Sequence, residues 1–338
     1  MKIAVIGAGA IGSVVGGLLS KAGEDVTLIG RKSHVDAIKQ NGLMLDGPSG
    51  KVIIQVKAAE NLDFKPDLVL LTVKTQDVES SVREIHPYLS GATLVTMQNG
   101  VQSDDIAAGV LGKENIISAV VILGSIFLEP GKVSFSHPFG KIALLVGEPF
   151  GSYGNRLQNI SVLFNKALPT EISKDIRGAH WTKLILNLNN AVMAVTGLPF
   201  QEVSQYSQII KLNINLMKEG FKVIKTAGIR TAPVPGIPVS LMKTMVKMPL
   251  SISSFVLKSQ TKSYGELPLL GSTLQSIKRG KSTEIDYLNG EIVNLGKKIG
   301  IPTPVNSLIV KLVHQTETTG KFLTIEELTI QLSKSLPP

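Results

Sequence analysis

Hydrophobic positions gather first into a short β-branched run, KIAVI at residues 2 to 6, and again into Val26 to Ile29, with a stretch compatible with a helix at 11 to 22 between them. Strand, helix and strand within about 30 residues make a βαβ unit. The pattern continues with DLVLLTV at 67 to 73 and ATLVTM at 92 to 97, unbroken apolar runs of the kind that strands covered on both faces require. A parallel sheet is therefore expected. Leu43 to Leu45 and Val52 to Val56 flank the turn-rich DGPSG at 46 to 50, which predicts an antiparallel hairpin set into this alternation. More strand-like segments run from 116 to 146.

Past about residue 155 the spacing becomes helical, in NRLQNISVLFNKAL, then HWTKLILNLNNAVMAV, then YSQIIKLNINLMKEGFKVIKTAG with Gly228 as its predicted C-cap. Residues 231 to 270 carry prolines and glycines such as Gly236 and Gly265 and read as loop, either a flap or a packing excursion. Helical patterns resume at Ser272 to Lys278, at Thr283 to Ile299 and after Pro304. At 338 residues the chain exceeds what one core comfortably fills, so two domains are expected, 1–170 and 171–338.

The first motif is Gly7-Ala8-Gly9-Ala10-Ile11-Gly12, placed after a strand and at the start of a helix. In that context Gly7 permits the tight turn, Gly9 lets backbone approach a pyrophosphate, and Gly12 lets helix and strand pack, with phosphate at the helix N-terminus. That makes residues 1–170 a Rossmann dinucleotide-binding domain. Where an NAD enzyme places an acid for the ribose hydroxyls, this chain has Gly30 and Arg31. A guanidinium pairs with a 2′-phosphate and stacks on adenine, so NADP(H) is the expected cofactor. Lys74 and Asn99 stand at the carboxyl ends of the next two apolar runs, where doubly wound sheets place their ligands. Each has an ordinary alternative, a solvated loop lysine and an Asn-Gly turn.

The helix predicted at 180 to 197 puts His180, Lys183, Asn187 and Asn190 on one stripe, opposite Ile185, Leu188 and Val192. A lysine with amides four and seven residues on is expensive to bury unless it is hydrogen-bonded, so the stripe suggests a cleft holding water or ligand, with a solvated face as the alternative. In GSTLQSIKRGKSTEIDYLNG, 271 to 290, Ser272 and Glu284 can serve a common site. Equally, Thr283 can N-cap a helix with Asp286 at N3 returning the contact and Glu284 favoured by the helix dipole alone.

Composition narrows the field. Hydrophobic residues form 43% of the chain and charged ones 18%, as in a folded globular protein. The net charge of +9 is spread without a run of five basic residues, and aromatics amount to 5%, which disfavours nucleic acid; positive potential equally suits anionic cofactors and carboxylate substrates. The absence of cysteine excludes disulfides and thiolate catalysis. A strand carrying a motif begins directly after Met1, and the longest apolar stretch, Ile116 to Leu128, is interrupted and too short for a bilayer. A cytoplasmic enzyme is the expectation, with a homodimer compatible with it.

Taken in order, these segments resemble the ketopantoate reductase (2-dehydropantoate 2-reductase) family over nearly the whole chain. The family combines GxGxxG, an Arg ending the second strand, VKT, QNG, a helix beginning K-L-x-x-N and a late TEIDYxNG. Here they are GAGAIG, Arg31, Val73-Lys74-Thr75, Gln98-Asn99-Gly100, Lys183 to Asn187, and Thr283 to Gly290. The resemblance implies an all-α C-terminal domain like that of 6-phosphogluconate dehydrogenase, with the site between the domains. It implies reduction of a small 2-oxo acid by NADPH, 2-dehydropantoate to pantoate in pantothenate biosynthesis. Lys183 would be proton donor and Glu284 its support. Asn99 and Lys74 would lie by nicotinamide and substrate, Asn187 and Asn190 by the substrate, and Ser272 by its carboxylate. The chain departs from pantoate-forming members at Ala191, at Pro199-Phe200 and at Leu274-Gln275-Ser276, where they have Asn, Pro-Asn and LQD; Asn190 neighbours the first of these. A paralogous D-2-hydroxy acid dehydrogenase acting on branched or aromatic 2-oxo acids is the first alternative, and a non-catalytic NADPH-binding regulator the second.

Overall fold

A computed structural model describes residues 1–136, 142–151, 153–249, 251–253 and 270–335. The chain divides into two compact units, Met1–His180 with Val234–Gly236, and Trp181–Pro233 with Ile237–Pro338.

In the first unit the strands are β1 (Lys2–Ile6), β2 (Asp25–Ile29), β3 (Leu43–Gly47), β4 (Gly50–Ile54), β5 (Lys57–Ala59), β6 (Leu68–Leu71), β7 (Thr93–Thr96), β8 (Ile116–Val121), β9 (Gly124–Glu129), β10 (Lys132–Ser136), β11 (Leu144–Gly147) and β12 (Thr170–Ile172). Eight of them form one sheet in the order β12-β11-β8-β7-β6-β1-β2-β5. All neighbours are parallel except β11 and β8. The segment β5-β2-β1-β6-β7-β8 is the doubly wound order, whose direction reverses beside β1, and such reversals open a crevice at the carboxyl ends of the strands.

Alternation explains why these runs are apolar throughout. Ile3 and Val5 of β1 and Leu68 and Leu70 of β6 join one core, with Val14, Val15 and Leu19 of the helix Ala10–Lys21. Ala4, Ile6, Val69 and Leu71 join the core on the other face, with Val78, Val82 and Ile85. A strand buried on both faces has no position for a polar side chain. The expected hairpin is present, β3 pairing antiparallel with β4. It sits in a second, four-stranded sheet of order β4-β3-β10-β9, where β3 also pairs parallel with β10. The apolar stretch from Ile116 to Leu128 is thus divided between β8 of the large sheet and β9 of the small one.

The second unit is helical among its described residues. Its longest helix, Ser207–Thr226, buries Ile209, Ile210, Leu212, Leu216, Val223 and Ile224 on one face and ends at Gly228, whose φ of +71° fits the predicted C-cap. Gly220 lets it approach another helix closely, since a Cβ there would lie 2.6 Å from Ile185 Cδ1 and 2.9 Å from Leu188 Cδ1. Glu219 caps the helix Pro304–Thr319, its carboxylate accepting the Val305 and Asn306 N–H groups, each at 2.9 Å. The predicted helix Ser272–Lys278 is present, whereas the pattern at Thr283 to Ile299 resolves into a 3₁₀ turn, Ile285–Tyr287, and the helix Asn289–Lys298. Within the loop-rich stretch the described residues form the short helix Val239–Met245 and a helical piece at 251–253; residues 254–269, with Gly265, lie outside the described residues.

One expectation is corrected. The helix predicted at 180 to 197 is broken into Ile176–Asn187 and Asn190–Thr196. The Leu188 carbonyl, freed at the break, accepts Asn289 Nδ2 at 3.2 Å, and the same amide donates to Asn306 Oδ1 at 3.0 Å. A buried side-chain amide has taken the place of a helical N–H, so the backbone turns without leaving that carbonyl unpaired.

Candidate active site

In the first unit the glycine motif, the end of β2 and the ends of β6 and β7 are tied together by backbone geometry. Gly7 adopts φ +94°, and a Cβ there would lie 2.8 Å from the Val73 backbone nitrogen; at Gly12 a Cβ would meet Gly7 O at 2.6 Å. Gly7 and Ala8 donate their N–H groups to Ile29 O at 3.0 and 2.8 Å, joining the loop to β2. Thr72 Oγ1 donates to the Ile6 and Gly7 carbonyls at 3.1 and 2.8 Å, joining it to β6. Gln98 Nε2 donates to Leu71 O at 2.8 Å and Val73 O at 3.1 Å, and Thr75 Oγ1 to Asn99 O at 3.1 Å. The VKT and QNG segments are therefore held side by side, with half-buried Lys74 and Asn99 at their tips.

These residues fit a dinucleotide. Gly9 is exposed, a Cβ there would meet only Gly7 O at 3.8 Å, and among the described residues no side chain caps the helix Ala10–Lys21 or accepts its first N–H groups. Arg31 is exposed at the start of the helix Lys32–Asn41. Lys32 pairs with Asp36 at 3.2 Å and Glu60 at 3.8 Å, whereas Arg31 has no carboxylate partner among the described residues. A Cβ at Gly30 would lie 2.9 Å from the Ala8 methyl, so an acidic side chain at 30 requires Ala8 to move.

In the second unit Lys183 and Glu284 face one another electrostatically. Burial pushes the Lys183 ammonium down from its ordinary 10.5 to about 8, against the pull of the Glu284 carboxylate. One turn further on, Asn190 Nδ2 donates to Asn187 Oδ1 at 3.5 Å. Gly271 packs against this pair, its missing Cβ leaving room for Asn190 Oδ1 at 3.0 Å and Met193 Cε at 2.7 Å, and so delivers half-buried Ser272 to the same region. Ala191, at the position where pantoate-forming members carry Asn, is fully buried.

Two expectations change. His180 keeps its helical spacing with Lys183 and Asn187 on Ile176–Asn187, but its ring is buried and bonded in the first unit, with Nε2 2.7 Å from Ser118 Oγ, which donates to Asp104 Oδ1 at 2.9 Å, as does Thr96 Oγ1 at 2.5 Å. The break at 188–189 lies beyond His180; what sequence spacing could not show is that a buried serine and aspartate offer it a partner. Asp286 does not return a contact to Thr283. Thr283 Oγ1 accepts the Ile285 N–H at 3.2 Å, the Thr283 N–H goes to Glu317 Oε1 at 2.6 Å, and Asp286 accepts from His314 at 2.9 Å. Asn289, Glu317 and His314 escaped the sequence reading; the only signal was the Asn-Gly pair of the TEIDYxNG segment.

A doubly wound sheet with an open glycine loop, joined in sequence to a helical unit carrying a lysine whose pKa is lowered, defines a nicotinamide-dinucleotide-dependent oxidoreductase. The family description "Ketopantoate reductase PanE/ApbA" matches residues 3–147, and "Ketopantoate reductase PanE/ApbA C terminal" matches residues 175–317. The 2-dehydropantoate 2-reductase of Pyrococcus horikoshii is 31% identical over 323 residues, 95% of this chain and 99% of its own. A crystal structure of a PanE/ApbA family ketopantoate reductase from Ralstonia eutropha superposes with TM-score 0.79 at 32% identity, covering 94% of this chain and 99% of that one. D-mandelate dehydrogenase, solved with NADH and anilino(oxo)acetate, shares the fold at TM-score 0.79 and 24% identity, covering 94% and 99%. The chain belongs to the ketopantoate reductase family, and it is an oxidoreductase acting on a CH–OH group.

Proposed function

We propose that the protein reduces a 2-oxo acid to a 2-hydroxy acid with NADPH, 2-dehydropantoate to pantoate in pantothenate biosynthesis before any other. The observation that carries this reading is Lys183, held at about 8 and opposite Glu284. An ammonium group with a pKa near neutrality is charged in the resting enzyme yet gives up its proton readily, which suits a general acid. When bound, the reduced nicotinamide supplies the hydride. Lys183 protonates the carbonyl oxygen as it becomes an alkoxide, and Glu284 keeps the lysine charged beforehand. Asn187, Asn190 and Ser272 orient the substrate and its carboxylate, and Asn99 and Lys74 line the nicotinamide side. Residues Gly7 to Gly12 take the pyrophosphate and Arg31 the 2′-phosphate; Arg31, without a carboxylate partner among the described residues, and Gly30, pressed against Ala8, support NADP(H) over NAD(H). In this reading residues 1–170 hold the cofactor, 171–338 hold the substrate, and the enzyme works in the cytoplasm, as a homodimer.

Buried Ala191 and half-buried Phe200 favour one second reading, a D-2-hydroxy acid dehydrogenase for branched or aromatic 2-oxo acids. Following NADPH absorbance with ketopantoate and about a dozen other 2-oxo acids, and comparing kcat/KM, separates the two. Preference for ketopantoate supports the main reading and preference for an aromatic acid the second. Binding of NADPH without its oxidation by any of them would contradict both and leave a regulatory protein.

A further inference from the structure

The second unit contains a cluster of titratable side chains to which no function has been assigned above. His314, on the helix Pro304–Thr319, is gripped at both ring nitrogens, Nδ1 lying 2.8 Å from Glu317 Oε2 and Nε2 2.9 Å from Asp286 Oδ1. A neutral imidazole carries one N–H, so both carboxylates receive a hydrogen bond only from the imidazolium. The other oxygen of Glu317 accepts the Thr283 N–H at 2.6 Å. Glu284 thus lies between two pinned neighbours, Thr283 held by Glu317 and Asp286 held by His314. Within the segment Thr283 Oγ1 accepts the Ile285 N–H at 3.2 Å at the start of the 3₁₀ turn, and the bonds to Glu317 and His314 tie that turn to the helix Pro304–Thr319.

We propose that His314 is a positioning residue: through Glu317 and Asp286 it fixes the segment from Thr283 to Asp286 and so holds the Glu284 carboxylate opposite Lys183. This rests on the roles given to Lys183 and Glu284 under the proposed function. The charged groups around His314 are Asp286 from the 3₁₀ turn, Glu317 from its own helix, and Lys297 and Lys311, which line the same open groove of about 700 Å³. Partial burial disfavours a charged imidazole, but the hydrogen bonds and charges of Asp286 and Glu317 outweigh it and raise the His314 pKa above 6.5. For Glu317 burial acts upward, and the bonds from Thr283 and His314 prevail and hold it below 4.5. The clamp is therefore complete above about pH 4.5 and slackens as pH rises through the elevated pKa of His314. When it slackens, Lys183 loses part of the charge that opposes its desolvation, and its pKa falls further.

The test uses His314→Ala and, as a charge-removing variant of nearly the same shape, Glu317→Gln, each alone and combined with Glu284→Gln. The readouts are the pH profile of kcat/KM, the dissociation constant of NADPH and the thermal midpoint. Expected are a shift of the alkaline limb to lower pH by roughly half a unit or more, kcat/KM at pH 7.5 reduced about 1.5-fold or more, and NADPH affinity within about twofold. With Glu284→Gln already present, neither substitution should move the limb further, because the residue through which His314 acts has lost its charge. Wild-type limbs and turnover in folded His314→Ala and Glu317→Gln proteins would overturn the inference, as would an equal shift in the Glu284→Gln background. Lys183→Ala separates the two levels: if it turns over normally the underlying reading fails, and if it is inactive while the His314 and Glu317 variants titrate as wild type, only the inference fails.

Discussion

Raising the pH should switch the enzyme off at a point set by Lys183. At a pKa of about 8 the ammonium is roughly 90% charged at pH 7 and roughly 10% at pH 9, whereas an ordinary lysine near 10.5 stays almost fully charged throughout. If Lys183 delivers the proton, kcat/KM for the 2-oxo acid falls to half near pH 8 and then about tenfold per unit. Burial is the main cause of the low value and Glu284 opposes it, so Glu284→Gln moves the limb toward lower pH. The assay is initial-rate NADPH consumption from about pH 6 to 10 at constant ionic strength, with thermal unfolding at each end to exclude denaturation. A profile that stays flat to pH 10, or a limb that moves upward in Glu284→Gln, would refute the reasoning. The same shift acts on stability with the opposite sign from a paired lysine: the folded state binds fewer protons than the unfolded one between 8 and 10.5, so this group's cost is greatest below pH 8 and is relieved as pH rises.

Arg31→Ala should weaken NADPH by about ten- to a hundredfold, the 1.5 to 3 kcal/mol of a charge-assisted contact, while NADH changes little. Equal losses for both cofactors, measured by fluorescence titration, would remove the basis for NADP(H). Glu219→Ala strips three acceptor contacts from the start of the helix Pro304–Thr319 and should cost about 2 to 4 kcal/mol, a fall of roughly 5 to 15 °C in thermal midpoint; an unchanged midpoint would show that solvent replaces the cap without loss.

Local chemistry was legible in the sequence wherever a run of neighbours decides the outcome. The strand, glycine loop and helix from Lys2 to Lys21 are specified within some twenty residues, and VKT and QNG announce themselves because each stands at the end of an apolar run. The hairpin of β3 and β4 was visible for the same reason, but its sheet was not, because the strand that completes it, β10, arrives at Lys132. Helical spacing likewise placed Lys183, Asn187 and Asn190 on one side, yet could not see the break at Leu188–Asn189, which depends on an amide 101 residues away. His180 and Asp286 went astray for one reason: a polar side chain takes whichever partner the fold presents, and Ser118 and His314 come from distant segments.

The most direct measurement is single-turnover and steady-state reduction of the best 2-oxo acid by Lys183→Ala, with NADPH binding measured on the same preparation. The account predicts kcat lower by roughly 100-fold or more with cofactor affinity within about twofold of wild type and an intact thermal transition. Near-wild-type kcat in a folded Lys183→Ala protein would contradict it and make Lys74 the next candidate for the proton donor.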